Sequence, residues 1–141
     1  MKSVFSNTML LVLALMTLSF SNLAHANTNP QMRQCRLSGG TFTSVQTSDD
    51  IVGLCQLGSA YIGSLDLLYH LDKSATPLSI EIYSQGVTSC DPMGTSRVVK
   101  TLEGVEMRLC FYGDGSLIEM NTLQNGISSL NNTELNQALG F

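Results

Sequence analysis

The chain has 141 residues and a formal net charge of −4, because 11 aspartate and glutamate residues outnumber 7 lysine and arginine residues. Phosphate backbones are bound by clustered lysine and arginine, so this balance disfavours nucleic acid as a partner and also disfavours attraction to anionic lipid. The length allows one small domain or two very small ones.

The N-terminus has the order of a secretory signal peptide. Lys2 precedes an apolar run at 9–20 (MLLVLALMTLSF), and residues 24–26 (Ala-His-Ala) place small side chains at the −3 and −1 positions of a cleavage site. The run is shorter than the roughly 20 residues that a membrane anchor needs. We predict a signal peptide over 1–26 with cleavage near Ala26. The mature chain would have 115 residues, a net charge of −5 and no integral membrane anchor, and would be periplasmic or secreted.

All four cysteines lie beyond the predicted cleavage site, and an even number in an exported chain is typical of disulfides. Sequence alone allows three pairings. Cys35 and Cys55 are 20 residues apart, as are Cys90 and Cys110, and similar glycine, threonine and leucine positions recur around both pairs. This recurrence predicts a duplication and favours the pairs Cys35–Cys55 and Cys90–Cys110. Each bridge would close a loop worth about 3 kcal/mol.

Residues 27–73 are predicted to form the first module. Strand-forming residues at 40–45 and 51–55, separated by a turn at Asp49 and Asp50, predict a β-hairpin. A short helix is predicted to follow and to end near Asp72. Its expected apolar face consists of Ile62, Leu65, Leu68 and Tyr69.

Residues 74–89 are predicted to be a linker followed by a strand. The segment 74–77 (Ser-Ala-Thr-Pro) has linker composition. Residues 78–83 (Leu-Ser-Ile-Glu-Ile-Tyr) alternate apolar and polar side chains, which is typical of a half-exposed strand.

Residues 90–141 are predicted to form a second, diverged module. Segments 96–101 and 105–111 predict another hairpin. Ser116 and Glu119 have capping-box spacing, which predicts a helix that stops at Gly126. Alternatively, 113–115 (Gly-Asp-Gly) is a hairpin turn and 117–122 is a strand. Asn132 is placed to cap a last short helix over 133–139.

These elements predict an α+β fold of two small disulfide-stapled modules, each a β-hairpin followed by a short helix. Modules of about 50 residues bury little apolar surface, so each would depend on its cross-link for stability.

Several motifs together carry a family resemblance: Asn-Pro at 29–30, Cys35, Gly-Gly at 39–40, Cys55 and Gly58, with a second, weaker set in CFYGDGSLIEM at 110–120. This pattern resembles a small bacterial envelope family that carries the label hemolysin (domain of unknown function 333). The chain departs from the family in having no tryptophan. The resemblance implies a diverged tandem pair in the cell envelope, and its motifs are structural, so it implies no catalytic residue.

His70 is the single histidine beyond the cleavage site and hence the one candidate for a general base near neutral pH. Asp66 and Asp72 flank it, but no G-x-S-x-G motif accompanies it, and an exposed histidine at a helix end is the simpler interpretation. No cysteine pair has C-x-x-C spacing, and no calcium-loop motif is present. We therefore predict no catalytic residue, no cofactor and no metal ligand.

The expected function is that of an exported, non-catalytic envelope protein that binds a partner as an accessory or inhibitor. The partner would be another envelope or exported protein. The loops at 84–86 and 112–114 are candidate contact surfaces. Two alternatives stay open: a membrane-active hemolysin, as the resemblance implies, and a small hydrolase that uses His70.

Overall fold

The computed structural model describes residues 29–141, so the predicted signal peptide over 1–26 lies outside the described residues. The strands are β1 (Thr41–Gln46), β2 (Ile51–Leu57), β3 (Ala60–Gly63), β4 (Gly94–Thr101), β5 (Glu106–Tyr112) and β6 (Leu117–Glu119). The helices are α1 (Pro30–Leu37), α2 (Ser64–Asp72), α3 (Leu78–Ser84), α4 (Met120–Asn125) and α5 (Thr133–Leu139). A 3-10 turn at Leu130–Asn132 precedes α5.

The six strands form one closed barrel in the order β1-β2-β3-β6-β5-β4. The α+β class is confirmed, but the prediction of two hairpin–helix modules is wrong, because strands from both segments close a single sheet. Each hairpin gains a third strand, and the two three-stranded halves meet at two junctions. Strand β1 pairs with β4 through Gln46 and Lys100, and β3 pairs with β6 through Ile62 and Ile118.

Two apolar clusters explain why the halves join. The barrel interior contains a cluster contributed by both halves: Val45, Leu54, Val99, Leu109 and Leu117. A three-stranded sheet must bury its apolar face against another layer, and each half supplies that layer to the other. The second, larger cluster lies between the outer face of the sheet and the helices, and it includes both disulfides.

The strand registers of the two halves match. Cys55 of β2 lies opposite Phe42 and Ile62, and Cys110 of β5 lies opposite Ser96 and Ile118. Ile62 and Ile118 thus hold equivalent positions, and they pair with each other across the junction. Pairing between equivalent positions is the property of a two-fold arrangement, so the halves are related by an approximate two-fold rotation.

Residues 78–83 form helix α3 and not the strand that their alternation predicts. Ser79, Ile80, Ile82 and Tyr83 are all buried on one side of this helix. Its first amides are satisfied from a distant turn: Asp114 accepts from the Leu78 N–H at 2.8 Å and Ser116 accepts from the Ser79 N–H at 2.9 Å. The helix is therefore fixed by tertiary caps that the local pattern does not contain.

The segment after β5 follows the turn-and-strand alternative in its first part. Leu117–Glu119 is strand β6, so the predicted capping box that starts a helix at Ser116 is wrong. The Ser116 hydroxyl donates to Asp114 instead, at 2.6 Å. Helix α4 begins later, where Glu119 caps it by accepting from the Thr122 N–H at 2.8 Å, and Gly126 ends it as predicted.

Helix α2 ends at Asp72 as predicted, but its buried face differs from the expected one. Leu65 and Tyr69 are exposed, while Ser64, Asp66 and Leu67 are buried. Ile62 belongs to β3. Two polar residues occupy the inner face because hydrogen bonds satisfy them there, which hydropathy alone does not reveal.

Candidate functional site

The four cysteines form the disulfides Cys35–Cys55 and Cys90–Cys110, with Cα–Cα distances of 5.5 and 5.7 Å. This is the pairing that the equal spacing favours. All four side chains are buried, and the described residues contain no free cysteine. Disulfides of this kind are typical of proteins outside the reducing cytoplasm. Their sulfur atoms act as structural cross-links at this site.

The glycines that begin β1 and β4 are required by these disulfides. A Cβ added at Gly40 would lie 2.5 Å from the Cys55 sulfur, and one at Gly94 would lie 2.6 Å from the Cys110 sulfur. Gly40, and not Gly39, is therefore the counterpart of Gly94.

His70 is held by the C-terminal segment. Its Nε2 atom lies 2.9 Å from the Leu139 carbonyl oxygen, and its ring centroid lies 6.1 Å from that of Phe141 in an edge-on arrangement. The neighbouring carboxylates bind elsewhere: Asp66 accepts from Ser79, and Asp72 accepts from the backbone of Ser74. The structure thus does not bring His70 and these carboxylates together as a catalytic set.

An open groove of about 410 Å³ lies beside His70. It is lined by His70, Leu71, Lys73, Ala75, Thr76 and Leu139. The titratable side chains of the lining are Lys73 and His70, and the Nε2 atom of His70 is within hydrogen-bond distance of the Leu139 carbonyl oxygen. Within residues 29–141 there is no group of three metal-ligating side chains.

Asp66, which the sequence indicated only as a carboxylate flanking His70, is a buried and hydrogen-bonded residue. Its Oδ2 atom accepts from the Ser79 hydroxyl and from the Leu117 N–H, both at 2.8 Å. Burial raises the pKa of Asp66 to about 6, against the opposing effect of these two hydrogen bonds. The residue joins α2, α3 and β6, so we assign it a structural role.

Asp114 belongs to the same network but titrates in the opposite direction. Burial by itself would raise the pKa of Asp114, but hydrogen bonds from Leu78 and Ser116 outweigh it and lower the pKa. The network therefore holds one carboxyl group that resists ionisation and one that favours it.

The exposed edge of β4, residues 94–98, is the candidate binding site. The Thr101 N–H donates to the Val105 carbonyl of the β4–β5 hairpin at 2.8 Å. In an antiparallel ladder, alternate residues bond to opposite sides, so the backbone groups of Ser96, Val98 and Lys100 point away from β5. Lys100 pairs with Gln46 of β1, whereas Ser96 and Val98 face no strand among residues 29–141.

The side chains along this edge are basic and apolar. Arg97 is exposed, and its guanidinium carbon lies 5.3 Å from the centroid of the Phe111 ring, a cation–π distance. Val98 is 52 % exposed, and Met93, just before the strand, is 57 % exposed. Lys100 pairs with Glu106 at 3.6 Å, which is the one ion pair among the residues that the structure describes. Arg97 thus presents its charge without a carboxylate partner in residues 29–141.

The two loops that we expected to present contacts are both exposed at least in part. Residues 84–86 are exposed at the end of α3. In the loop at 112–114 Tyr112 is buried, whereas Gly113 and Asp114 are exposed and Asp114 accepts hydrogen bonds from Leu78 and Ser116. The sequence predicts strand β4 but not that its edge is a binding site. Whether an edge is free depends on which other strands pair with it, and that is set by the tertiary fold.

No helix within residues 29–141 is both long and apolar enough to cross a membrane. Comparison with protein-family models, with curated proteins and with solved structures found no match to this chain.

Proposed function

We propose that the mature protein is an exported, non-catalytic binding module, an accessory or inhibitor of another exported or envelope protein, and that it engages its partner through the edge of β4. The observation that carries this proposal is that residues 94–98 of β4 face no strand on their outer side within residues 29–141 and carry the exposed side chains of Arg97 and Val98. Residues 41–44 of β1 also face no strand there, but they carry no charge. A strand edge with free N–H and C=O groups is a template for pairing with another chain.

The other chemistry-bearing groups support a binding role because the fold already uses them. The cysteines are cross-linked, His70 bonds to a backbone carbonyl, and Asp66 joins three elements. The exposed β4 edge keeps its polar backbone and the Arg97 guanidinium available. A partner that adds a strand there would satisfy both.

The proposed location is the periplasm or the extracellular space, after cleavage near Ala26. Two disulfides and the order of the N-terminal residues support it. We further propose that the matched registers of the halves reflect a duplication, in keeping with the resemblance to the hemolysin-labelled envelope family.

Capture of partners by the folded protein tests the proposal. The mature chain, with its disulfides verified by non-reducing mass mapping, is immobilised and exposed to an envelope extract of its native host. Val98→Pro removes an outward N–H from the β4 edge, and Ser44→Pro makes the equivalent change on β1. A partner that the wild type and Ser44→Pro capture, and that Val98→Pro loses, supports the proposal. Equal capture by both proline variants contradicts it.

A further inference from the structure

We infer that the segment which docks on the β4 edge is an extended, acidic strand of the partner protein, with apolar side chains alternating between its carboxylates. This inference rests on the proposed function and names the chemistry of the occupant. Three features of the edge carry it: the direction of its backbone groups, its charge and its apolar side chains.

The backbone geometry fixes the form of the occupant. The N–H and C=O groups of Ser96 and Val98 point outward, and Gln46 of β1 ends the free stretch at Lys100. The Gly94 N–H already donates to the Cys90 carbonyl at 2.7 Å. The free ladder therefore consists of the outward groups of Ser96 and Val98 and suits about four residues of an incoming strand. A helix could not satisfy outward groups that alternate in this way.

The charge of the β4 edge indicates the charge of the segment that docks on it. Strand β4 carries Arg97 and Lys100 and no acidic residue, on a chain whose net charge is −4. Lys100 is already paired with Glu106, and Arg108 of β5 donates to the Ser96 hydroxyl at 3.3 Å, so Arg97 is the β4 cation left for an incoming strand. The Arg97 guanidinium lies over the Phe111 ring of β5 and has no carboxylate partner within residues 29–141, and a guanidinium can bind a carboxylate through two parallel hydrogen bonds.

The side chains of β4 indicate how acidic and apolar residues alternate along the docking segment. Arg97 and Val98 are successive residues, so they lie on opposite faces of the sheet. A strand added beside them places one residue next to Arg97 and the following residue next to Val98. An acidic residue suits the first position, and an apolar residue suits the second, where Val98 is half exposed.

The same charge argues against a second copy of this chain as the occupant. Two β4 strands paired along residues 94–98 would bring together the two Arg97 side chains with no carboxylate on either stretch. Like charges on neighbouring strands are destabilising, and charged edges of this kind deter self-association. An acidic strand from a different protein meets no such repulsion.

Synthetic peptides of about six residues, near the usual strand length, test the inference directly on the oxidised mature protein. One peptide alternates glutamate with valine, and its control carries lysine in place of glutamate. We expect the glutamate peptide to bind about tenfold or more tightly than the lysine peptide, with affinity that falls as salt is added. Equal binding of the two peptides, or no binding of the glutamate peptide, would overturn the inference.

Matched variants locate the effect. Arg97→Glu should reverse the preference between the peptides, whereas Arg33→Glu makes the same change in net charge on the distant helix α1 and should leave the preference intact. If Arg33→Glu acts as strongly as Arg97→Glu, the attraction is a property of overall charge and the docking site is wrong.

N-methylation of the peptide tests strand addition without altering the protein. Methyl groups on one alternating set of peptide nitrogens should abolish binding, and methyl groups on the other set should be tolerated, because only one set faces β4. Equal tolerance of both sets would overturn the strand geometry. A dimer of this chain that Val98→Pro dissociates would assign the edge to a second copy and would also overturn the inference.

The inference and the proposed function fail in different ways. A natural partner whose capture depends on Val98, together with a glutamate peptide that does not bind, refutes the acidic strand and leaves the proposed function standing. If Val98→Pro captures the partner as well as the wild type does, the proposed site is wrong and the inference fails with it.

Discussion

The outer edges of β1 and β4 hold equivalent positions in the two halves of the barrel, yet they differ in cover and charge. On β1, Phe42 is partly buried against Gly53, helix α1 packs on the strand, and no residue of the strand is charged. On β4, serine takes the place of Phe42, Val98 is exposed, and Arg97 projects beside it. The β1 edge thus combines an uncharged strand with a partly buried aromatic side chain, whereas the β4 edge is basic and carries an exposed valine.

The comparison indicates that the two halves share the structural role but differ in their proposed role in binding. Both supply the barrel interior and one disulfide each, so both are needed for the fold. Within residues 29–141 both halves leave backbone without a strand partner, at 41–44 on β1 and at 94–98 on β4, but only the β4 stretch carries a charged side chain. Four sets of substitutions test this division, beginning with the largest expected change in stability.

Removing one disulfide at a time measures whether the halves are equally dependent on their cross-links. Each bridge spans 20 residues of sequence, so replacement of either pair by alanine should cost about 3 kcal/mol in free energy of unfolding. Urea unfolding of the double variants Cys35→Ala/Cys55→Ala and Cys90→Ala/Cys110→Ala gives the two values. A loss confined to one half would show that the halves are not equivalent supports.

The pH dependence of stability distinguishes the halves at Asp66, whose counterpart in the second half is Thr122. The pKa of Asp66 is raised from 3.8 to about 6 by folding, so the native state holds its proton between these values while the unfolded chain has lost it. Stability from this group is therefore full below about pH 4 and declines as pH rises to about 6, by about 3 kcal/mol.

Asp66→Asn removes this titration while keeping an oxygen that accepts from Ser79 and Leu117. Relative to the wild type, the variant should gain up to about 3 kcal/mol on going from pH 4 to pH 7, measured by urea unfolding at each pH. Asp114, whose pKa is lowered, acts in the opposite direction and is common to both proteins. A wild-type-minus-variant difference that is flat with pH would contradict the assignment.

Alanine at Gly40 or Gly94 tests whether the two disulfide environments are equally tight. The new Cβ would lie within 2.6 Å of a sulfur and within 2.9 Å of a backbone oxygen in both cases. Thermal unfolding should report a loss of about 2 kcal/mol for each variant, as expected for overpacking. Gly113→Ala is the control, because nothing lies within 4 Å of its added Cβ. A well-tolerated Gly94→Ala would indicate a looser second half.

Two tyrosine-to-phenylalanine changes should give small effects of opposite sign. The Tyr83 hydroxyl donates to Asn136 at 2.7 Å, so Tyr83→Phe should lose about 1 kcal/mol. The Tyr112 hydroxyl is buried without a hydrogen-bond partner in residues 29–141, so Tyr112→Phe should be neutral or gain up to about 1 kcal/mol. Equal losses in chemical denaturation would mean that Tyr112 makes a bond that the described contacts do not include.

The features that could be predicted from sequence are those that are local along the chain. Both hairpins follow from strand-forming runs and turns, and the disulfide pairs follow from equal spacing. Helix α3 could not be predicted, because Asp114, which caps it, lies 36 residues away. The burial of Asp66 likewise depends on the backbone of Leu117, 51 residues away.

The candidate site was missed for a related reason. The sequence indicates that residues 96–101 form a strand with Arg97 on it, but whether a strand edge is free depends on how the barrel closes. That closure uses only three residue pairs between the halves, and no local pattern marks them.

Such narrow seams have a consequence for how the molecule can come apart. With so few backbone bonds across these seams, the halves are held together by the two apolar clusters. To the interior cluster the first half gives Val45 and Leu54, and the second half gives the other three side chains. Separation of the halves would expose all five side chains to solvent at once, so neither half buries its own apolar face and the barrel forms as one unit.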